Sequence, residues 1–104
     1  MTREEYMEYH KAICDKMMEV TKAKNHDYSG WNDDPFANFK SCEGYGIPTE
    51  IGFITRMSDK ISRVKSFVDQ GVCNVKDETI EDTLIDLANY SILMAGYIKS
   101  KKED

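Results

Sequence analysis

The stretch Glu78–Ile98, ETIEDTLIDLANYSILMAGYI, constrains this chain more than any other, because it reads as one long helix without a clearly wet face. At about 3.6 residues per turn, one stripe of this helix is predicted to face a core. Positions off that stripe, such as Ile85, Leu93 and Met94, are apolar as well. A helix that is apolar nearly all round is buried on more than one side. The predicted stripe consists of Ile80, Leu84, Leu87, Ser91, Ala95 and Ile98.

Two more long helices are predicted upstream. The first begins after Thr2, with Glu5 completing a capping box, and runs to about Lys24. The second covers Thr49–Asp69 and ends at Gly71. Its predicted apolar stripe consists of Ile51, Ile54, Met57, Ile61, Val64 and Val68. No strand pattern of useful length is present, so the predicted fold class is all-α, a bundle of three long helices.

The segment Asn25–Pro48 is predicted to be a long loop with one short helical turn at Pro35–Lys40, because it is rich in turn-forming pairs. A loop of this length inside a compact domain is usually functional. It is also aromatic, with Tyr28, Trp31, Phe36, Phe39 and Tyr45. The fold is therefore a helical bundle with a long aromatic loop.

Length and charge exclude several classes of function. A chain of 104 residues is one domain by default. Its net charge of −5 argues against nucleic-acid binding, which requires a basic surface. No apolar run has membrane-spanning length, and the N-terminus does not resemble a signal peptide. Three widely spaced cysteines without a CxxC pair indicate reduced thiols. We expect a cytoplasmic protein that contacts neither membrane nor nucleic acid.

A three-helix chain has too few elements to bury its last helix on two sides. We expect a homodimer or higher homo-oligomer whose interface includes the Ile85–Leu93 side of that helix. The alternative is a compact monomer in which the aromatic loop covers the same side.

Acidic side chains provide candidate metal ligands. Asp82 and Asp86 are four residues apart on one helical face, where like charges repel unless a cation joins them. Carboxylate oxygens are the ligands that Mg²⁺ prefers. Asp59 is a further candidate ligand or a water-positioning base, and Glu50 lies within an apolar stripe. Acids near a helix start also favour the helix dipole, and Asp59 can simply pair with Arg63, so both interpretations stay open.

Cations and aromatic residues provide candidate contacts to a nucleotide. Arg56, Lys60 and Arg63 are predicted to bind phosphates. Aromatic rings can hold a base, and an amide can read its edge. The alternative is a solvated helix face and a loop pinned to the core by its rings. Tyr28, Trp31 and Phe39 are predicted to hold the base, with Asn38 or Asn89 reading or orienting it. Lys24 and Asp27 are further predicted substrate-binding residues.

The strings KNHDYSG, DPFANFK, RMSDKISR and VKDETIEDTLIDLANY resemble the nucleotide modification associated domain family, first type, known from phage and bacterial genomes. The resemblance extends from Lys22 to Tyr90. It implies kinship with the MazG-like all-α nucleoside triphosphate pyrophosphohydrolases, which are Mg²⁺-dependent dimers or tetramers. In that group, water attacks the α-phosphorus and a carboxylate cluster from two helices holds the metal. Here Phe53 and Thr83 stand at places where the group usually carries acids.

The resemblance and the residues together predict a Mg²⁺-dependent enzyme of phage-type nucleotide metabolism that converts a nucleoside triphosphate to a monophosphate and pyrophosphate. Asp59 and Asp86 are its predicted catalytic residues, and Glu50, Asp59, Asp82 and Asp86 its predicted metal ligands. The alternative is a protein that binds or sequesters a nucleotide or cyclic nucleotide without cleaving it, such as a phage counter-defence protein. A helical adaptor that binds no nucleotide is the third possibility.

Overall fold

The computed structural model describes residues 1–29, 33–72 and 78–103, with side chains described only up to residue 24 in the first range and residue 102 in the last. Within these ranges the chain is all-helical, which confirms the predicted class. It contains four α-helices instead of three, because a short one precedes the second long helix. These helices are α1 (Arg3–Ser29), α2 (Ala37–Lys40), α3 (Thr49–Gln70) and α4 (Ile80–Glu103), with a 3₁₀ segment at Ser41–Tyr45.

Local sequence signals set most helix ends. Thr2 and Glu5 form the predicted capping box, with each side chain accepting a hydrogen bond from the other residue's backbone N–H. Thr79 and Asp82 form the same arrangement at the start of α4. Gly71 adopts a left-handed conformation, φ 75°, and its N–H bonds the Phe67 carbonyl, so α3 ends as predicted.

The predicted loop Asn25–Pro48 is wrong at its start and at residues 41–45, whereas α2 confirms the short helical turn predicted at Pro35–Lys40. α1 continues to Ser29, and α2 and the 3₁₀ segment follow at 37–45. The physical reason is that the first glycine of this region is Gly30, so nothing before it breaks the helix. α4 likewise continues beyond Ile98 to Glu103, since neither glycine nor proline interrupts its charged end.

The centre of the core is aromatic. Phe39 and Phe53 are almost completely buried, and their rings stack with centroids 4.3 Å apart. Tyr97 of α4 completes the buried cluster. The pairs Glu50–Lys101 and Arg63–Glu78 join opposite ends of α3 and α4, which therefore run antiparallel. Phe36, Tyr90, Leu93 and Met94 pack around the cluster.

The predicted core stripes of α3 and α4 are largely on the outside of the chain. On α3, Ile51, Ile54 and Ile61 are 46%, 47% and 55% exposed, and on α4 Leu84 is 47% exposed. The packed face of α4 instead contains Thr83, Ile85, Asn89 and Tyr97, and that of α3 contains Thr49 and Phe53. Aromatic rings and hydrogen-bonded polar groups occupy the contact between the helices, so the branched aliphatic residues remain outside.

The interface on the Ile85–Leu93 side stays a prediction. Within one chain, Ile85 is 5% exposed, and Leu93 packs against the aromatic core. Phe36 also packs against this core. No helix within the described residues is long and apolar enough to cross a bilayer.

Candidate functional site

A network of ion pairs joins the three long helices at one end of the α3–α4 hairpin. Its centre is Asp86, whose carboxylate oxygens lie 3.1 Å from Lys24 Nζ of α1 and 3.2 Å from Lys60 Nζ of α3. The side chain of Asp86 is only 18% exposed, and that of Lys60 only 12%. Charges removed from water to this extent require partners. Asp86 therefore has two cationic partners, one from each neighbouring helix.

Glu78, directly before α4, extends the network. Its carboxylate accepts a 2.6 Å bond from Arg63 and a 3.1 Å bond from the Thr83 hydroxyl, and it lies 3.6 Å from Lys60 Nζ. Arg63 also pairs with Asp59 at 3.2 Å, on the exposed rim of the network. Three cations thus surround two largely buried acids, and only the rim carboxylate balances the third positive charge. The network as a whole is charge-balanced, and its more exposed cations, Lys24 and Arg63, are the members that an anionic ligand could reach.

An apolar cavity of about 460 Å³ lies next to this network, between α1 and α4. This volume falls within the usual range for small-molecule sites. Its apolar wall includes Met17, Met18 and Leu93, and the turn Pro35–Phe36 forms one side. Two polar side chains, Thr21 and Asn89, also line it. A concave apolar surface with a few convergent polar groups is typical of a ligand pocket.

The polar pair joins the cavity to the charged network. Thr21 Oγ1 donates a 3.3 Å hydrogen bond to Asn89 Oδ1, and Asn89 is 8% exposed. Thr21 precedes Lys24 by three residues, and Asn89 follows Asp86 by three residues. Residues three apart are neighbours on a helix surface. The cavity and the network therefore lie about one helical turn apart along both α1 and α4.

Asp34 fixes the turn that closes one side of the cavity. Its carboxylate accepts a 2.9 Å bond from the Phe36 N–H and a 2.6 Å bond from Lys40 Nζ. Burial would raise the pKa of Asp34, but the hydrogen bonds from Lys40 and Phe36 outweigh it and hold the pKa below its ordinary value. This turn is thus held by an ionised side chain.

The predicted metal ligands are divided among different parts of the fold. Glu50 pairs with Lys101 at the far end of α3, ten residues and about 15 Å along the helix from Lys60. Asp82 belongs to the capping box of α4, and the hydrogen bonds from Thr79 lower the pKa of its carboxyl. Of the four predicted ligands, Asp59 and Asp86 belong to the network. Within the described residues, no three His, Cys, Asp or Glu side chains gather as a metal site.

The predicted substrate-binding residues are likewise divided. Lys24, Lys60, Arg63 and Asn89 lie at the network or the adjoining cavity. The others have different positions. The side chains of Asp27, Tyr28 and Trp31 lie outside the described residues.

Three other predicted contacts lie away from the cavity between α1 and α4. The Phe39 ring is 1% exposed, with Phe53 stacked on it and the Arg56 guanidinium 4.6 Å from its centroid. A base could reach this ring only by displacing those neighbours. Asn38 is exposed on α2, and its carbonyl accepts a bond from Ser41.

Sequence reasoning missed that Thr21 lines the cavity and that Asp34 holds the turn beside it. A polar threonine among the apolar positions of α1 is the one feature of the sequence that could have pointed to Thr21. Asp34 stands two residues before Phe36, which is the spacing of a side chain that caps its own turn. The connection of Glu78 to Arg63 depends on the tertiary fold.

The fold and site define an all-helical protein with a cation-rich network beside an apolar pocket. The chain belongs to the family described as nucleotide modification associated domain 1, whose model matches residues 24–96. That range contains every member of the network, from Lys24 to Asp86, and also Asn89. No curated protein and no solved structure matches the chain.

Proposed function

We propose that this protein binds a nucleoside phosphate between α1 and α4, with the base in the cavity and the phosphates at Lys24, Lys60 and Arg63. The observation that carries the proposal is the position of the apolar cavity one helical turn from a network that contains three cations, two of them partly exposed. A nucleotide has the same division, with an apolar ring at one end and an anion at the other. The Thr21–Asn89 pair would provide hydrogen bonds to the edge of the base.

We further propose that the bound nucleotide is a triphosphate, which the protein hydrolyses with Mg²⁺ to the monophosphate and pyrophosphate. Family membership and the partly buried acids Glu78 and Asp86 beside the cations support this reaction. Their carboxylate oxygens are suitable Mg²⁺ ligands by type. Both acids already pair with cations, however, so the described residues do not form a prepared metal site. Lys24 and Arg63, which are 41% and 35% exposed, would contact the phosphates first.

Binding without cleavage is the second candidate, and the same pairing favours it. An acid held by two lysines, as Asp86 is, lacks the free oxygens that a metal or a catalytic water requires. A protein of this kind would sequester a nucleotide or cyclic nucleotide and release it intact.

Thermal unfolding with a panel of nucleotides, with and without Mg²⁺, tests binding. A ligand present at about 100 times its dissociation constant stabilises the fold by about 2.7 kcal/mol. Chromatography of the nucleotide after incubation separates the two candidates, since hydrolysis yields monophosphate and pyrophosphate whereas sequestration returns the starting compound. Asp86→Asn should lose the activity. The matched control is Asp15→Asn, because Asp15 pairs only with Lys11 on an exposed face. Activity retained by Asp86→Asn would contradict the proposed reaction.

We also propose that the protein is a homo-oligomer of MazG-like architecture that works in the cytosol, in a phage-infected host if phage-encoded. The accessible surface is 7601 Å², whereas a compact monomer of 12.0 kDa has about 6,000 Å². The radius of gyration is 15.6 Å, whereas about 13 Å is usual at this length. A standard dimer covers about 800 Å² per partner, so the excess is sufficient for such an interface.

The outer face of α3 is the proposed contact between copies. Ile51, Ile54, Ile61 and Val68 lie on it at spacings of three, seven and seven residues, and all are at least 46% exposed. This spacing follows the a and d positions of a helical seam. Light scattering should give a dimer or larger for the wild type and a smaller species for Ile61→Glu. An unchanged mass for Ile61→Glu would place the interface elsewhere.

A further inference from the structure

A lysine ammonium lies at the point where two acidic side chains converge. Lys60 Nζ is 3.2 Å from Asp86 Oδ2 and 3.6 Å from Glu78 Oε1. The three side chains are 12%, 18% and 15% exposed. Carboxylate oxygens that face one point from two elements are the usual ligands of a hard divalent cation. In this chain the Lys60 ammonium occupies that point.

We infer that Lys60 is the resident cation of this site, where its ammonium satisfies Glu78 and Asp86 and excludes a divalent ion. The inference deepens the proposed function, on whose site it rests, but it requires neither nucleotide nor hydrolysis. It assigns Lys60 a role beyond phosphate binding, since the residue sets whether the free protein takes up a metal.

The charges around Lys60 support this role. Arg63 lies 2.6 Å from Glu78 and Lys24 lies 3.1 Å from Asp86, so each acid has a second cationic partner. A divalent ion entering this group would add two positive charges to three cations that already balance Glu78, Asp86 and the exposed Asp59. Loss of the Lys60 charge leaves two cations and three acids, and it opens the central point. The more exposed Lys24 and Arg63 can then turn towards solvent while the acids bind a metal.

Binding of Mn²⁺ alone, followed by electron paramagnetic resonance and calorimetry, tests the inference. Mn²⁺ prefers the same oxygen ligands as Mg²⁺ and has a direct spectroscopic signal. Lys60→Gln should bind one Mn²⁺ per chain at least about tenfold more tightly than the wild type, and Mn²⁺ should raise its unfolding temperature. Lys60→Arg, which keeps the charge, should resemble the wild type.

Lys16→Gln is the matched control. Lys16 also lies between two carboxylates, 3.2 Å from Glu81 and 3.7 Å from Asp82, but these groups are more than 40% exposed. Its removal should not increase Mn²⁺ affinity, because exposed acids remain hydrated. An equal gain in Mn²⁺ affinity for Lys16→Gln would show that the loss of any positive charge from this acidic chain increases metal binding. That result would overturn the assignment to Lys60.

Two other outcomes would also overturn the inference. One is a folded Lys60→Gln protein, judged by circular dichroism, that binds Mn²⁺ no better than the wild type. The other is one stoichiometric Mn²⁺ in the nucleotide-free wild type, displaced by Mg²⁺ and lost in Asp86→Asn. This wild-type measurement decides the question even if Lys60→Gln does not fold. If the inference holds but no nucleotide binds, only the proposed function fails, because the metal measurements contain no nucleotide.

Discussion

Replacement of Asp34 tests whether one ionised side chain shapes the cavity. Its carboxylate joins the Phe36 N–H at 2.9 Å and Lys40 Nζ at 2.6 Å, and the side chains of Asp34 and Lys40 are 31% and 40% exposed. A partly exposed ion pair contributes about 0.5–1 kcal/mol after solvent screening. A hydrogen bond from a backbone N–H to a carboxylate contributes about 1 kcal/mol here. Asp34→Ala should therefore lose about 2 kcal/mol of unfolding free energy, and Asp34→Asn about 1 kcal/mol, since the amide oxygen still accepts from Phe36.

Urea unfolding at several pH values is the assay. The pKa of Asp34 is lower in the folded chain than its ordinary value, so its stabilisation is present above about pH 4, the unfolded pKa, and is lost as the pH falls through the lower folded pKa. The difference between the wild type and Asp34→Asn should be largest near neutral pH and shrink in acid. It corresponds to a difference of about 4–8 °C in unfolding temperature at neutral pH.

Asp33→Asn is the matched control, because the Asp33 side chain, next to Asp34 in the sequence, is exposed. This variant should unfold with the wild type at neutral pH. A stability difference for Asp34→Asn that grows on acidification would refute the reasoning, as would equal stability of Asp34→Ala and the wild type. Asp34→Ala should also bind a nucleotide more weakly, because the Pro35–Phe36 wall of the cavity loses its support.

Two further pairs of substitutions test the helix packing and the phosphate contacts separately. Gly96→Ala should raise the unfolding free energy by about 1 kcal/mol through helix propensity, because the added Cβ would meet the Phe36 ring at an ordinary 3.5 Å. Gly52→Ala should gain nothing or destabilise the chain, because its Cβ would lie 3.2 Å from both a sulfur and a backbone carbonyl oxygen, and urea unfolding of both variants would reveal any reversal. Lys24→Met should weaken triphosphate binding about tenfold in calorimetry without changing nucleoside binding. Lys11→Met, whose lysine is 81% exposed, should match the wild type, and equal losses for nucleoside and triphosphate would contradict the assignment of phosphates to Lys24.

Features determined by neighbouring residues could be predicted from the sequence. The Thr2–Glu5 capping box, the end of α3 at Gly71 and the helical class all depend on contacts within a few residues. The predicted end of α1 was wrong because Asn25 was interpreted as the start of a loop. The sequence contains no glycine or proline before Gly30, and α1 continues to Ser29.

Features that depend on distant residues were beyond such reasoning. Asp86 was identified as a candidate metal ligand from its spacing to Asp82, but its partners, Lys24 and Lys60, lie 62 and 26 positions away. Hydrophobic spacing also selected the wrong faces of α3 and α4. It ranks a leucine above a threonine, whereas Thr83 is 1% exposed because its hydroxyl donates to Glu78.

Lys60, Glu78 and Asp86 are largely buried, whereas several aliphatic side chains of α3 are exposed, and this contrast connects the proposed site to the proposed assembly. Buried ion pairs stabilise a fold less than apolar residues of similar volume, because each charge loses its hydration. A monomer selected for stability alone would place residues such as Ile54 and Ile61 where Lys60 and Asp86 lie. In the proposed assembly, a partner copy on the outer face of α3 would remove these aliphatic residues from water, and the proposed ligand between α1 and α4 would interact with the inner charges. Substitutions on the outer face of α3 should therefore lower the free energy of unfolding more than substitutions at the ligand contacts do. Substitutions at the ligand contacts should instead weaken nucleotide binding directly.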